Sequence, residues 1–268
     1  MALPVLEDRD FSNLLRIIYA LTGVTMDEGK RSLVRSRVAR RLRAHGLSDV
    51  QEYVRLLEGP TREEQEIAAF IDTLTTHKTS FFRTRSIWSF LEKEVTERFQ
   101  RNEDVRIWSC ASSSGEEPYS LAMLLQTYCG SRSWEVTASD VSPLMVEKTK
   151  TGQFDPTTFP DAEQAPGKVD PISFFEPASG LLQASRKLRD RMKFQVHNLL
   201  HPMSGSFAII MLRNVIIYFS DEDRETVIAN ALRALRPEGL LILGESESLC
   251  SNKDKLQFEA PCIYRRKK

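Results

Sequence analysis

The feature that most restricts the fold is an alternation of short apolar runs with helical stretches between Val105 and Leu243. Strands that alternate with helices form a parallel sheet, because each crossover helix returns the chain to the same end of the sheet and covers one of its faces. The sequence therefore predicts a doubly wound α/β domain. The predicted strands are 105–110, 134–139, 193–196, 207–211 and 240–243, and the predicted helices are 118–127, 143–150 and 221–235, the last capped by Ser220.

The first third of the chain has helical periodicity instead. Apolar residues recur at helical spacing in two stretches, first at Phe11, Leu14, Leu15, Ile18 and Leu21, and then at Val34, Val38 and Leu42. Ser48 followed by Gln51 predicts a capping box for a helix over 53–57, and a further helix is predicted over 63–74. These patterns predict a helical domain over 1–91 and an α/β domain over 92–268. The stretch at about 152–192 lacks the alternation of strands and helices, which predicts an insertion in the α/β domain.

Composition excludes several classes of protein. The 268 residues include 37 basic and 37 acidic ones, and no apolar run approaches the roughly 20 residues that span a bilayer. The start of the chain lacks a basic segment leading into an apolar run, so we expect a cytoplasmic protein without membrane insertion. The four cysteines have neither Cys-x-x-Cys spacing nor a histidine at zinc-finger distance. This predicts free thiols in a reducing compartment and no metal site.

The loop after the first predicted strand indicates which kind of ligand can bind, because doubly wound sheets bind ligands at the carboxyl ends of their strands. This loop, 109–118, holds one glycine and so lacks the G-x-G-x-x-G pattern that closes round a pyrophosphate. It ends in Glu116 and Glu117. Either carboxylate can accept a hydrogen bond from a cationic amine, although both also fit a simple interaction with the helix dipole.

Asp140 stands at the end of the second predicted strand, where a carboxylate commonly receives the two hydroxyls of a ribose. Its place before Ser142 and Pro143 fits helix capping equally well. A carboxylate for a ribose, a carboxylate for an amino group and no phosphate cradle together indicate an adenosine ligand that carries an amino acid. S-adenosylmethionine fits that description.

Four separated segments resemble signature segments of the CheR chemotaxis-receptor methyltransferases. They are 75–83, 108–120, 213–219 and 244–248, and they occur in the family's order over nearly the whole chain. The resemblance implies a Rossmann-like methyltransferase sheet with a small all-α N-terminal domain and a small inserted β-subdomain. It also implies an S-adenosylmethionine-dependent enzyme that methylates glutamate side chains of chemoreceptors and releases S-adenosylhomocysteine.

The resemblance further implies roles for individual residues. The implied cofactor contacts are Thr79 and Arg83 at the methionine carboxylate, Glu116 or Glu117 at its amino group, Asp140 at the ribose, Asn198 and Leu199 beside the adenine, and Arg213 and Asn214 along the pocket. Tyr218 and Arg98 match the family's residues at the substrate carboxylate. His77 occupies a cofactor-contacting position where the family usually has asparagine, and Ser142 one where it often has a second aspartate.

The implied chemistry needs no general base. A methyl group on a sulfonium is already activated, and a glutamate side chain is already an anion at neutral pH, so positioning should supply most of the rate. An amine or hydroxyl substrate would instead call for a base beside the pocket. Methylation of RNA or of a small molecule is therefore one alternative, and a cofactor-binding sensor or adaptor without catalysis is another.

A run of basic residues marks the second predicted helix, since no acidic residue lies between Lys30 and Arg43. From the residues alone, such a run fits a solvated face, and arginine-rich helices also grip nucleic-acid phosphates. The resemblance implies instead that glutamate-rich receptor helices are the partner, which a stripe of arginines would steer and orient. The implied receptor-binding residues are Arg37, Arg40, Arg41 and Arg43. We expect a monomer that binds no nucleic acid.

Overall fold

A computed structural model of the chain describes residues 6–60, 63–98, 104–160, 165–249 and 252–268. The strands are β1 (Val105–Ser109), β2 (Trp134–Asp140), β3 (Gln153–Phe154), β4 (Phe175–Ala178), β5 (Leu181–Ala184), β6 (Met192–Val196), β7 (Phe207–Leu212), β8 (Leu235–Leu243), β9 (Leu256–Ala260) and β10 (Ile263–Arg266). The helices are α1 (Asp8–Thr22), α2 (Arg31–Ala44), α3 (Val50–Glu58), α4 (Glu64–Leu74), α5 (Arg85–Arg98), α6 (Glu116–Cys129), α7 (Pro143–Thr151), α8 (Arg186–Arg189) and α9 (Asp221–Ala234).

The centre of the molecule is a seven-stranded sheet in the order β6-β2-β1-β7-β8-β10-β9. The first five of these strands run parallel, and β10 runs antiparallel to both of its neighbours. One cluster of buried apolar side chains lies between the sheet and helices α5 and α6, and a second lies between the opposite face and α9. The doubly wound, Rossmann-like α/β fold is confirmed.

Burial explains why the central strands are apolar throughout. All six residues of β7 are buried, because helices cover both faces of a strand in the middle of a parallel sheet. The helix after β7 begins as predicted, with the Ser220 hydroxyl accepting a hydrogen bond from the Asp223 amide at 3.1 Å.

The alternation does not predict the hairpin of β9 and β10 at the edge of the sheet. Only Leu256 is buried in β9, so this edge strand has no apolar run to mark it. Strand β8 also begins at Leu235 rather than at 240. Its pairing with β7 shifts register after Phe207 and Glu238 has a φ of 61°, so a bulge interrupts the strand pattern without ending the strand.

Helices α1 to α4 form the N-terminal helical domain around a buried core of their own. The predicted capping box at Ser48 is wrong. The residue that caps α3 is Asp49, whose carboxylate accepts a hydrogen bond from the Gln51 amide at 3.0 Å. An aspartate at this position reaches the amide two residues on, which is a common way to satisfy the first free N–H groups of a helix.

The predicted domain boundary at residue 91 falls inside α5. Ile87, Trp88 and Leu91 are buried in the same apolar cluster as α6 and the sheet, so α5 packs as part of the α/β domain. We therefore propose a boundary between Leu74, which ends α4, and Phe81, which lies in the α/β core.

The insertion contains a small antiparallel sheet in the order β3-β5-β4. Its aromatic side chains Phe154, Phe159 and Phe175 surround Phe81, with ring centroids 4.8, 5.3 and 6.2 Å away. Tilted and edge-on contacts at these distances are favourable for aromatic pairs. They fix the small sheet against the segment that precedes α5. The predicted end of the insertion at Met192 already belongs to β6.

Across the ranges that the structure describes, none of the helices combines the length and the apolar character needed to cross a membrane. Cys110 and Cys129 are free, buried thiols, as predicted. Cys262 is a half-buried free thiol, and Cys250 lies outside the described residues.

Glu66 is the polar centre of the helical domain. Its side chain is only 3% exposed and accepts hydrogen bonds from Arg41 and from the Tyr53 hydroxyl, and it lies 2.6 Å from His45 Nε2. Burial alone would raise the pKa of Glu66, but these hydrogen bonds outweigh it and hold the pKa below its usual value. The charge of Arg41 is therefore compensated inside the domain.

Glu66→Gln should lower the free energy of unfolding at neutral pH by about 2–3 kcal/mol, because it leaves the Arg41 guanidinium without its charged partner. The difference in the free energy of unfolding between the variant and the unmodified protein should shrink as the pH falls through the lowered pKa of Glu66. A carboxylate with a lowered folded pKa stabilises above its unfolded pKa and loses that contribution in acid. Urea denaturation at neutral and at acid pH measures both effects.

The matched control is Glu64→Gln, an exposed carboxylate on the same helix, which should change the free energy of unfolding by less than about 0.5 kcal/mol. An equal loss for Glu66→Gln at both pH values would contradict this account of the cluster.

Candidate functional site

A cavity opens at the carboxyl ends of β1, β2 and β7. After β1 the chain continues to β2 and β6 on one side of the sheet and then returns to β7 on the other side of β1. The loops that follow β1 and β7 therefore diverge and leave a crevice between them. The cavity is partly open to solvent and is lined by residues of the sheet loops and of the helical domain.

Asp140 ends β2 and lines this cavity. Its carboxylate accepts hydrogen bonds from the amides of Ser113 at 2.8 Å and Ser142 at 2.9 Å. Burial raises the pKa of Asp140, and the two amides oppose that rise. The cap of α7 is Ser142 itself, whose hydroxyl accepts from the Met145 amide. Asp140 is thus not the helix cap, and its oxygens keep lone pairs for ligand hydroxyls.

The two glutamates at the start of α6 point in different directions. Glu117 lines the cavity, where one oxygen accepts from the Ser109 hydroxyl at 2.8 Å and the other pairs with Arg213 Nη1 at 2.9 Å. The side chain of Glu116 accepts a hydrogen bond from the Ser114 hydroxyl instead. Of these two candidates, Glu117 is the one that lines the cavity.

Arg213 connects the loop after β7 to the opposite wall of the cavity. It is 6% exposed, and its Nη2 donates to the Arg83 carbonyl at 3.0 Å and to the Thr84 hydroxyl at 3.1 Å. Its ion pair with Glu117 compensates a charge that would otherwise be costly to bury.

The polar segment 75–83 forms this opposite wall, and Thr79, Arg83 and His77 all line the cavity. The Ser113 hydroxyl donates to the His77 carbonyl at 3.1 Å, which ties the segment to the loop after β1. The His77 ring turns toward the helical domain, with Nε2 3.2 Å from the Asp72 carboxylate.

The remaining predicted residues divide into two groups. Leu199, Asn214 and Tyr218 line the cavity. Asn198 stabilises its own turn, since its side chain accepts from the Leu200 amide at 3.0 Å, and it also donates to the Leu21 carbonyl of α1 at 3.4 Å.

Arg98 is the last residue of α5, and its side chain lies outside the described residues. The helix begins next to the cavity wall at Arg85 and, at ~1.5 Å per residue, ends about 20 Å further along. Glu94, one turn before the end, pairs with Arg265 at 3.0 Å, and Arg265 lies opposite Leu240 of β8. The role of Arg98 at the substrate carboxylate therefore stays a prediction.

The link between α1 and α2 supplies a wall that the sequence pattern does not predict. Thr25, Met26 and Lys30 line the cavity. Thr25 also binds the Tyr218 carbonyl, through its amide at 2.8 Å and its hydroxyl at 3.0 Å. No local motif marks these residues, because they reach the cavity only when the two domains pack together.

His197, which follows β6, is a further lining residue without a motif. Burial lowers the pKa of His197, and the nearby His201 lowers it further. Its Nε2 atom and the Nε atom of Arg213 are buried without a hydrogen-bond partner among the described residues. A ligand with polar edges would satisfy such atoms.

The lining fits S-adenosylmethionine. Asp140 suits a ribose, Glu117 a cationic amine and Arg83 a carboxylate, while neutral His197 and apolar Leu199 suit a heteroaromatic base. The loop's one glycine, Gly115, has a φ of 106° and is the N-cap residue of α6. Within the described ranges, no group of three or more His, Cys, Asp or Glu side chains could hold a metal ion. Fold and cavity together define a Rossmann-like, S-adenosylmethionine-dependent methyltransferase.

Comparison with known proteins gives the family. Residues 77–263 match the CheR methyltransferase, SAM binding domain, and residues 9–75 match the CheR methyltransferase, all-alpha domain. The chemotaxis protein methyltransferase of Escherichia coli (strain K12) is 31% identical over 264 residues, which are 97% of this chain and 91% of that protein. Chemotaxis protein methyltransferase 2 of Pseudomonas aeruginosa is 34% identical over 263 residues, covering 95% and 92%. The chain belongs to the CheR methyltransferase family.

Asp140→Asn should weaken the binding of S-adenosylhomocysteine at least about tenfold, because a hydrogen bond to a charged acceptor contributes roughly 1.5–3 kcal/mol. Isothermal titration calorimetry measures the affinity, and thermal unfolding separates it from a loss of stability.

The control for this change is Asp155→Asn. Asp155 is an exposed carboxylate that also accepts a backbone hydrogen bond, from Thr157 at 2.8 Å. Asp155→Asn should leave the affinity for S-adenosylhomocysteine unchanged. Equal affinities for the two variants would show that Asp140 is not part of the binding site.

Proposed function

We propose that this chain transfers methyl groups to glutamate side chains of chemoreceptor proteins and so forms methyl esters. Its membership of the CheR family and its similarity to chemotaxis protein methyltransferases support a chemotaxis methyltransferase. The arginines of α2 lie beside the cavity, and this position is the main observation that supports an acidic, helical partner. A cytoplasmic location and a monomeric state remain predictions.

The arginines of α2 lie next to the segment that forms the cavity wall. Arg37 donates from Nη1 to the Thr75 carbonyl at 3.0 Å. Burial and repulsion by Arg40 lower the pKa of Arg37, whereas Tyr218 raises it, so these three side chains lie within electrostatic reach of one another. A shallower groove lined by Arg37 and Arg40 joins the cavity, since residues 75–77 line both.

This arrangement supports a docking mode for a receptor helix. Arg40 and Arg43 are exposed and would pair with carboxylates along an acidic helix, while Arg37 would meet the carboxylate nearest the cavity. Arg41, which the sequence groups with them, is paired with Glu66 and in this proposal stabilises the helical domain.

The reaction requires positioning more than proton transfer. When bound, S-adenosylmethionine supplies a methyl group activated by its sulfonium. A glutamate side chain is ionised at neutral pH, so no residue has to act as a base. Tyr218 is assigned to restrict the approach of that carboxylate, because alignment of the reacting groups supplies much of the rate in such reactions.

The cofactor contacts in this proposal follow the lining of the cavity. Asp140 receives the ribose hydroxyls, and Glu117, held by Arg213, receives the amino group. Thr79 and Arg83 bind the carboxylate. Leu199 contacts the adenine, and His77 and Asn214 shape the surrounding walls.

The substrate class can be tested by labelling. The purified protein, incubated with tritiated S-adenosylmethionine and membranes that bear chemoreceptors, should label the receptors, and alkali should release the label as volatile methanol because esters hydrolyse in base. A receptor fragment whose glutamates are replaced by alanine is the control and should stay unlabelled. Base-stable label on protein, or label recovered in RNA, would overturn the proposal.

Arg40→Glu should lower kcat/KM for the receptor roughly tenfold at low salt and leave the affinity for S-adenosylhomocysteine unchanged. The reversed charge repels an acidic helix, and the effect should diminish at high salt because mobile ions screen exposed charges.

Arg35→Glu is the matched control, since Arg35 is exposed on the same helix about 140° away from Arg40 at 100° per residue. If both variants lose the same activity, the effect comes from net charge and the docking face is not the one proposed.

A further inference from the structure

The carboxylate of Glu247 lies at the centre of a set of backbone amides. Oε1 accepts hydrogen bonds from Val215 at 2.7 Å and Ile216 at 2.9 Å, and Oε2 accepts from Asn214 at 2.7 Å and Gly244 at 2.6 Å. The residue is 8% exposed. Three of these four donors belong to the loop 213–220 between β7 and α9, and the fourth follows β8.

The spacing from Gly244 to Glu247 has a steric reason. The Glu247 amide donates to the Gly244 carbonyl at 3.0 Å, so the chain turns tightly after β8. A Cβ atom at Gly244 would lie 2.7 Å from Glu247 Oε2 and 2.9 Å from the backbone nitrogen of Asn214. Only glycine lets the carboxylate enter the space between the two loops.

The loop that Glu247 holds carries residues of the cofactor cavity. Asn214, Val215 and Tyr218 all line it. Asn214 has a φ of 56°, a conformation that needs support in a residue with a side chain. On the far side of the loop, Arg224 Nε donates to the Ile216 carbonyl at 2.9 Å.

We propose that Glu247 is a positioning residue that sets the 213–220 loop in its cofactor-binding conformation without touching the cofactor. An ionised carboxylate has about four acceptor sites and no donor, which matches four converging amides. Glutamine has the same size but only one acceptor oxygen, and its NH₂ group would face two N–H donors. The part that concerns Tyr218 rests on the proposed function, whereas the part that concerns cofactor binding does not.

Glu247→Gln tests the proposal against a role in stability alone. The variant should bind S-adenosylhomocysteine roughly tenfold more weakly at temperatures well below its unfolding transition, because the loop no longer holds one conformation. In NMR hydrogen exchange, the amides of Asn214, Val215, Ile216 and Gly244 should exchange at least about tenfold faster, while amides within β7 keep their rates. Asp254→Asn, an exposed carboxylate between β8 and β9, should change neither quantity.

Two results would overturn the proposal. One is a Glu247→Gln protein that unfolds at a lower temperature yet binds S-adenosylhomocysteine with unchanged affinity. The other comes from the unmodified protein and needs no variant to fold: the amides of Asn214, Val215 and Ile216 should be protected before any ligand is added, and free exchange there would mean that the carboxylate does not hold them. Neither measurement uses a methyl acceptor, so both are independent of whether glutamate is the substrate.

Discussion

The parallel pairing of β1 with β7 is the constraint on which the rest of the structure depends. Because the chain leaves β1 in one direction and returns to β7 from the other, the loops at the carboxyl edge separate and a cavity forms there. The helical domain closes the open side. Its α1–α2 link binds the Tyr218 carbonyl through Thr25, so the cavity is built by both domains and the basic α2 helix lies at its edge.

The carboxylates around this cavity are each compensated by backbone amides or by an ion pair. Asp140 is held by two backbone amides, Glu117 by Arg213, and Glu247 by four backbone amides. An uncompensated charge in such a place would be strongly destabilising. These hydrogen bonds and the ion pair also fix the orientation of each carboxylate. This orientation leaves Asp140 and Glu117 at the surface of the cavity, where a cationic, hydroxyl-bearing ligand can complete their hydrogen bonding.

Much of the fold could be predicted from the sequence, because the alternation and the helical spacing are local patterns imposed by burial. The prediction failed where burial is incomplete. Strand β9 buries only Leu256, so it shows no apolar run, and the bulge near Glu238 hides the first half of β8. The proposed domain boundary differs from the predicted one because α5 continues a helical pattern while packing on the sheet.

For the site, the sequence by itself determined the kinds of group available: carboxylates after two strands, a polar segment before α5, and a glycine-poor loop that excludes a phosphate cradle. Only the tertiary structure decided which of them meet. In the folded protein Glu117 lines the cavity and Glu116 does not. Asn198 binds its own turn and α1, and Thr25 contacts Tyr218 across 193 residues. Local sequence fixes strand ends and loop chemistry, whereas side-chain direction and long-range contacts depend on the packing of whole domains.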